Sequence, residues 1–379
     1  MRLIAVCALA LVCLASSSSI ILTRQAHAED AQWEDLFNGK DLTGWDTWLR
    51  APEDQGGQKG KPIGLNKDPA GVFSVQDGVL RVSGEIFGCI SSIEQFQDYH
   101  LRFDFRWGEK KWPPRLKELR DSGFLYHCYG RHGAFWNAWK ACVEYQVQEG
   151  DVGDLIFLSG PGGKTLLTKG KNGRRHRVYN PLGDLVKAPR TRHSGKYEYP
   201  NGEWNTCQVI ARDDDAVHIV NGFVINRVFD LVAKQDGEMK SLTSGQLQFQ
   251  SEAAEIFYRR IQKRDLIAQP TGKGADVNVM QPAQAEVKVD ESTVQLSYKN
   301  TGKVAVHIPA VEVLGEAAGD FHFDLPELPA VVAPAEDLQI GVRYHARRNQ
   351  SKHATLRLEG LRGPIEASQI KLYGLAAGE

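Results

Sequence analysis

Between positions 99 and 107 the chain reads YHLRFDFRW, in which Tyr99, Leu101, Phe103, Phe105 and Trp107 alternate with His100, Arg102, Asp104 and Arg106. A period of two sends successive side chains to opposite faces and predicts a strand with one buried face. The same alternation recurs in CVEYQVQEGDVGD (142–154), where Val143, Tyr145 and Val147 alternate with Glu144, Gln146 and Gln148, and Glu149 follows. GVFSVQDGVLRVSG (71–84) predicts a hairpin turning at Asp77-Gly78, and the stretch from Asn205 to Leu231 predicts two more, the second turning at Asn221-Gly222. SGQLQFQSEAAEIFYRRIQKRDL (244–266) closes the set, and helical periodicity is scarce. Short strands at this spacing predict an all-β protein built on a sandwich or jelly roll.

Two units follow the start of the chain. Met1 and Arg2, an apolar run and AHA at 26–28 predict a signal peptide, 1–28, cleaved after Ala28. Four serines at 16–19 interrupt the run and argue against an uncleaved anchor, and Val12 before Cys13 argues against lipidation. No later stretch is long and apolar enough to span a bilayer, so a periplasmic or extracellular protein is expected. The eight tryptophans all fall between Trp33 and Trp204, and AQPTGKGADVNVMQPAQAE (268–286) reads as a linker. These place the first domain at 31–267 and the second at 275–379. The second domain alternates in the manner of an immunoglobulin-like β-sandwich. Its NTG, DF and IKLYG segments are similar to Ig-like modules of ciliary and bacterial surface proteins. That similarity implies a unit that spaces a catalytic domain or binds a protein partner. Its histidines (His307, His322, His345, His353) are too scattered to suggest a metal.

Charge and cysteine content exclude several classes. With 46 basic and 47 acidic residues there is no field for nucleic acid. Cys89, Cys128, Cys142 and Cys207 remain after the signal segment, too few for a disulfide framework, and neither C-x-x-C nor H-E-x-x-H occurs. GPGGKT (160–165) is not a phosphate loop, because Leu158 stands where its first glycine is required.

The candidate chemistry lies on the polar face of 142–149. A carboxylate and amides beside Trp136 and Trp139 suit the hydroxyls and ring faces of a sugar, which points to a small saccharide or glycoside as ligand. The segment 160–204 has ten Lys or Arg against three acidic residues, as either a solvated loop or a cationic lid over the cleft. Glu149, Asp151 and Asp154 in EGDVGD form a weak calcium pattern.

A resemblance spans 31–267. WEDLFNGKDLTGW (33–45), DSGFLYH (121–127), VEYQVQE (143–149), GEWN (202–205), VNG (220–222) and GQLQFQSE…IFYRRI (245–261) occur in the order of the 3-keto-disaccharide hydrolase domain family, which the chain resembles. The resemblance implies a concanavalin-like jelly roll and a hydrolase or lyase acting on glycosides oxidised at the sugar 3-position, often with a divalent metal (Mn, Zn or Ca). No organic cofactor is implied. Gln250 and Arg259 match family positions; the residues available for the chemistry are Glu144, His127 and Glu149 as catalytic candidates, with Asp121, Gln146, Gln250, Arg259 and Trp136 as substrate-binding ones. His127 and Glu144 are the residues available to hold such a metal. Asp121 and His127 stand where the family has Asn and Arg, Glu149 where it has Asp, and Glu252 where a histidine is usual.

A ketone at carbon 3 acidifies the proton on carbon 2, so one base removes it and the bond at carbon 1 breaks by elimination, with water then adding. Two alternatives stand beside this. One is a retaining glycosidase using Glu144 and Glu149, since E-x-Q-x-x-E is similar to the E-x-D-x-x-E strand of laminarinase-type glucanases. The other is a non-catalytic, lectin-like sugar-binding protein. If His127 and Glu144 share the cleft, Cys128 and Cys142 project to opposite sides of the sheet and do not bond. A bulge would instead send His127 into the core.

Overall fold

The computed structural model describes residues 33–169, 175–193, 195–266, 279–315, 317–345, 352–361 and 363–375. The signal segment with Ala28, and residues 267–278 where the sequence puts the boundary between units, lie outside the described residues. Among those described, the regular structure is strand apart from three short 3-10 turns, and no helix is long and apolar enough to cross a membrane.

The first unit is a jelly-roll sandwich of two facing sheets. The front sheet runs Leu155–Leu158, Ala141–Gln148, Asp121–Tyr129, Ser244–Ser251, Gly88–Ser92, Trp45–Leu49 and Gly64–Leu65 in spatial order. The back sheet runs Phe223–Gln235, Asp215–Val220, Asn205–Arg212, Tyr99–Lys111, Ala254–Asp265, Val79–Val82 and Phe73–Gln76. Alternation along each strand turns Phe103, Phe124, Tyr145, Phe249 and Tyr258 inward, where all are fully buried. Their rings meet edge-on or tilted, with centroids 5.1 Å apart for Phe103–Phe124 and 4.7 Å for Phe249–Tyr258. Each such side chain contributes about 1.5–3 kcal/mol by burial.

One irregularity decides what reaches the outer face of the front sheet. Gln246 pairs with Cys128 and Gln248 with Leu125, so Tyr126 and His127 together oppose the single residue Leu247. His127 takes a left-handed φ of 50°, the signature of an extra residue in a bulge. Past the bulge the faces exchange, and Cys128 comes to lie with Cys142, Cys89, Leu125 and Trp139 in a small apolar cluster on the outer face. The Cys142 thiol is hydrogen-bonded with Cys128, and all four cysteines are free and buried. The Cys128 and Cys142 side chains therefore share a side of the sheet rather than opposing one another.

The second unit is a β-sandwich with its own core around Tyr298, Ile340, Val342, Leu356 and Leu372. Its strand Ala310–Leu314 adds in parallel to Phe223–Gln235 through the pair Phe223–Val311, so the back sheet continues into it. Arg227, 5% exposed, crosses this junction and donates twice to Glu359, at 3.0 and 2.5 Å. Glu312 lies 3.5 Å from Arg227 Nε, accepts from Arg357 at 2.8 Å, and accepts from the Tyr179 hydroxyl at 2.8 Å. Tyr179 ends the strand Arg175–Tyr179 of the basic segment, which the second unit thereby braces.

The described part of 160–204 is not a free loop. Gly162–Lys169 pairs with Phe223–Gln235 and with Asp184–Lys187, and the buried Thr191 exchanges two backbone hydrogen bonds with Leu155 at 2.9 Å each.

Candidate active site

Register across the front sheet assembles the polar face row by row. Gln148, Asp121 and Glu252 form one row, Gln146 and Gly123 lead a second that reaches Gln250, and Glu144, Leu125 and Gln248 form a third. Glycine is required at 123. A Cβ there would stand 2.5 Å from Gln250 Oε1 and 2.7 Å from Glu144 Oε1, so its absence makes the hollow into which both side chains lean. Asp121, Glu144, Gln146, Gln250 and Glu252 are each less than 7% exposed on this face of the front sheet.

The carboxyls on this face hold protons unusually tightly. Burial, aided by the charge of Asp121, pushes Glu144 up to about 8, although the Arg190 charge and a Gln250 hydrogen bond oppose the shift. Burial pushes Asp121 up to about 7 against the pull of Arg115. Burial and the charges of Asp121 and Glu144 raise Glu252 well above the carboxylate range. Like charges in one dry site cannot all ionise near neutrality, so at least one of the three carboxyls keeps its proton there. Arg115 offsets part of the charge, 2.6 Å from Asp121 Oδ2 and 3.3 Å from Glu252 Oε1. Gln148 donates to Asp121 Oδ2 at 2.6 Å. Asp121 Oδ1 and Gln250 Oε1 are buried acceptors with no partner among the described residues, as oxygens awaiting a donor would be.

The remaining expected residues lie elsewhere. His127, sent inward by the bulge, sits against Tyr99 and Tyr126 with centroids 6.1 and 5.2 Å apart. Burial lowers its pKa to about 4, and neither ring nitrogen has a partner among the described residues. It is apart from Glu144 and does not face the cleft. Glu149 leaves the sheet: it accepts from the Arg120 backbone N–H at 2.9 Å and from Arg120 Nη1 and Asn201 at 2.5 Å each. Burial raises its pKa, but these bonds to Arg120 outweigh it and hold the carboxyl below its ordinary value. It fastens the strand end and forms no carboxylate pair with Glu144. Arg259 belongs to the back sheet, 3.2 Å from Asp104 and 4.1 Å from the Trp204 ring. Trp136, 41% exposed, stacks on Phe135 at 4.9 Å, on the loop bordering the front sheet.

A divalent metal does not fit these residues. The imidazole assigned to it is in the core, and Asp121 and Glu252 are taken by a guanidinium. Asp151 and Asp154 of the calcium pattern face Arg190 at 3.5 and 3.7 Å, and no set of three His, Cys, Asp or Glu among the described residues is placed to hold an ion.

Arg115 is the addition sequence reasoning missed; Glu252 was marked only as a departure from the family pattern, and Arg190 only as one cation of the basic segment. Gln246, Gln248, Gln250 and Glu252 share a parity that was available as a signal, whereas Arg115 arrives from a distant segment and leaves none.

A family model described as the 3-keto-alpha-glucoside-1,2-lyase-like domain matches residues 32–264. No curated protein matches the chain. Among solved structures, a protein of Parabacteroides distasonis assigned as a glycosyl hydrolase is 20% identical, over 65% of this chain and 99% of its own, with a TM-score of 0.38. A carbohydrate binding module from Bacillus subtilis is 13% identical, over 59% and 96%, with a TM-score of 0.31. The Bacillus licheniformis beta-glucanase is 10% identical, over 62% and 97%, with a TM-score of 0.30. Matched over more than half its length by that one model, the chain belongs to the 3-keto-alpha-glucoside-1,2-lyase-like domain family.

Proposed function

We propose that the protein is an exported carbohydrate-active enzyme that cleaves 3-keto glycosides by base-assisted elimination at the Glu144 cleft. The observation that carries this reading is the gathering of Asp121, Glu144 and Glu252 on one buried sheet face with their protons held up to neutral pH. Ionised Glu144, a stronger base than an ordinary carboxylate, takes the proton from carbon 2 of the oxidised sugar. The electron pair moves toward the carbon 3 ketone, whose developing negative charge is met by the arginines at the cleft. The pair then returns to form the carbon 1–carbon 2 double bond as the glycosidic oxygen leaves. That oxygen takes a proton from Asp121 or Glu252, whichever is protonated. Water adding across the double bond completes a hydrolysis; release of the unsaturated sugar leaves the reaction a lyase. Asp121 Oδ1 and Gln250 Oε1 accept from sugar hydroxyls, and Trp136 offers a ring face at the rim. No step passes through a metal.

Incubation with 3-keto-trehalose or 3-keto-glucosides, with and without a chelator, tests the reading. Turnover that survives the chelator and fails in Glu144→Gln is expected. Sugar binding without turnover would leave a lectin-like protein in its place.

A further inference from the structure

Two thiols meet where the front sheet bulges. Tyr129 pairs with Ala141 and Tyr126 with Val143, so His127 and Cys128 together stand opposite the single residue Cys142. Opposed residues on antiparallel neighbours have Cα atoms about 4.5–5.5 Å apart, inside the roughly 4.4–6.8 Å that a disulfide spans. His127 turns inward, while Cys128 and Cys142 both turn outward into the apolar cluster with Cys89, Leu125, Ala138 and Trp139. There the Cys142 thiol is hydrogen-bonded with Cys128, whereas Cys89 Sγ donates to the Ala138 carbonyl at 3.7 Å. Cys207 lies apart, in the core between the sheets. No set of three His, Cys, Asp or Glu among the described residues is placed to hold an ion, so the thiols form no metal site.

The same two cysteines bracket the loop 130–140. Within it Trp136 and Asn137 hold left-handed φ angles of 51° and 56°, a conformation that residues other than glycine keep only where their surroundings impose it. Asn137 donates to the Gln58 carbonyl at 3.0 Å, its own carbonyl accepts from Trp48 Nε1 at 2.8 Å, and Trp139 Nε1 donates to the Gly88 carbonyl at 2.7 Å. These bonds fasten the middle of the loop to other strands and leave its base to the two cysteines. We propose that Cys128 and Cys142 are a disulfide-forming pair, whose crosslink closes the loop at its base and locks the register that sets Glu144 opposite Leu125 and Gln146 opposite Gly123.

In the structure both are thiols. The oxidant is a small disulfide such as oxidised glutathione. One cysteine, as thiolate, breaks its S–S bond and releases the first glutathione; the other attacks the mixed disulfide and releases the second. The protein thiols lose two electrons and two protons, and both pass to the pair of glutathione thiols. With Cys128 and Cys142 at 2% and 0% exposed, exchange runs through local opening of the strands. An oxidising compartment, which the exported reading supplies, holds such oxidants, and glutathione added in vitro makes the bond measurable apart from that reading.

Peptide mapping of the whole protein tests the pairing. The reduced protein is held with excess oxidised glutathione in urea just below its unfolding midpoint, then alkylated in full denaturant without reductant. Trypsin cuts after Arg131 and Lys140 and so separates the two cysteines. Their peptides are expected as one crosslinked species, about 2 Da lighter than the two thiol peptides together, while Cys89 and Cys207 carry the alkyl label. The crosslinked protein should also unfold at higher urea than the same sample after reduction, because the bond confines the unfolded chain, and Cys128→Ala and Cys142→Ala should abolish that difference. Alkylation of all four cysteines overturns the proposal, as does a crosslink in which Cys89 or Cys207 replaces either member. A Cys128–Cys142 crosslink with an unmoved midpoint overturns the bracing of the loop.

Discussion

Removing the Glu359 carboxylate should destabilise both sandwiches at once. In the native protein Arg227 and Glu359 side chains are 6% and 1% exposed and joined by two hydrogen bonds. Truncating one member of a buried pair leaves the other charge without compensation, at a cost of about 3–5 kcal/mol. Glu312, 3.5 Å from Arg227 Nε but shared with Arg357, recovers part of that, so Glu359→Ala is expected near the lower end, about 3 kcal/mol. Urea denaturation followed by tryptophan fluorescence is a selective assay, because every tryptophan lies between Trp33 and Trp204 in the first sandwich. The substitution is in the second sandwich, yet the tryptophan transition should move to lower urea together with the far-ultraviolet dichroism. Replacing both partners with apolar residues of similar volume (Arg227→Met with Glu359→Leu) should be milder than Glu359→Ala alone, since no orphaned charge remains. An unmoved tryptophan transition would refute the coupling and make the sandwiches independent. A loss below about 1 kcal/mol would refute the burial.

Three further outcomes are expected. Glu144 has a folded value of about 8 against an ordinary 4.5, so the fold binds this proton more tightly than the unfolded chain does; stability should be fullest below pH ~4.5 and fall as pH rises through about 8, a melting-temperature slope that Glu144→Gln flattens. Gly123→Ala places a methyl 2.5 Å from Gln250 Oε1; the side-chain ends must swing away, at about 1–3 kcal/mol of stability, and turnover should drop at least ~10-fold while circular dichroism stays native. Glu149→Gln loses charge-assisted bonds to Arg120 and should lower unfolding stability by about 1–3 kcal/mol with turnover essentially retained, the reverse of what a catalytic carboxylate would show.

The alternation of 142–149 was enough to predict the strand, its buried face and the polar face that holds Glu144 and Gln146. What it concealed was whatever depended on a neighbour. His127 has the parity of Asp121, and only the two-for-one register against Leu247 sends it inward; a bulge in one strand is set by its partner and leaves little mark in the local pattern. Glu149 has the composition of a catalytic acid, but a strand end beside Arg120 turned it into a fastening. Arg259 matched a family position, yet its strand belongs to the other sheet. Composition left the basic segment open between a solvated loop and a cationic lid, and it is the Thr191–Leu155 backbone pair, next to the Glu144–Ile156 pair, that brings Arg190 toward the carboxyls.

The central claim is that Glu144 is the base, and the rate of aglycone release from an aryl 3-keto-glucoside as a function of pH tests it most directly. For the unaltered protein the rate should climb as Glu144 ionises, with a midpoint near pH 8, and Glu144→Gln should lower it by about two orders of magnitude or more at every pH. Near-full activity in Glu144→Gln, with the climb intact, would remove Glu144 from the mechanism.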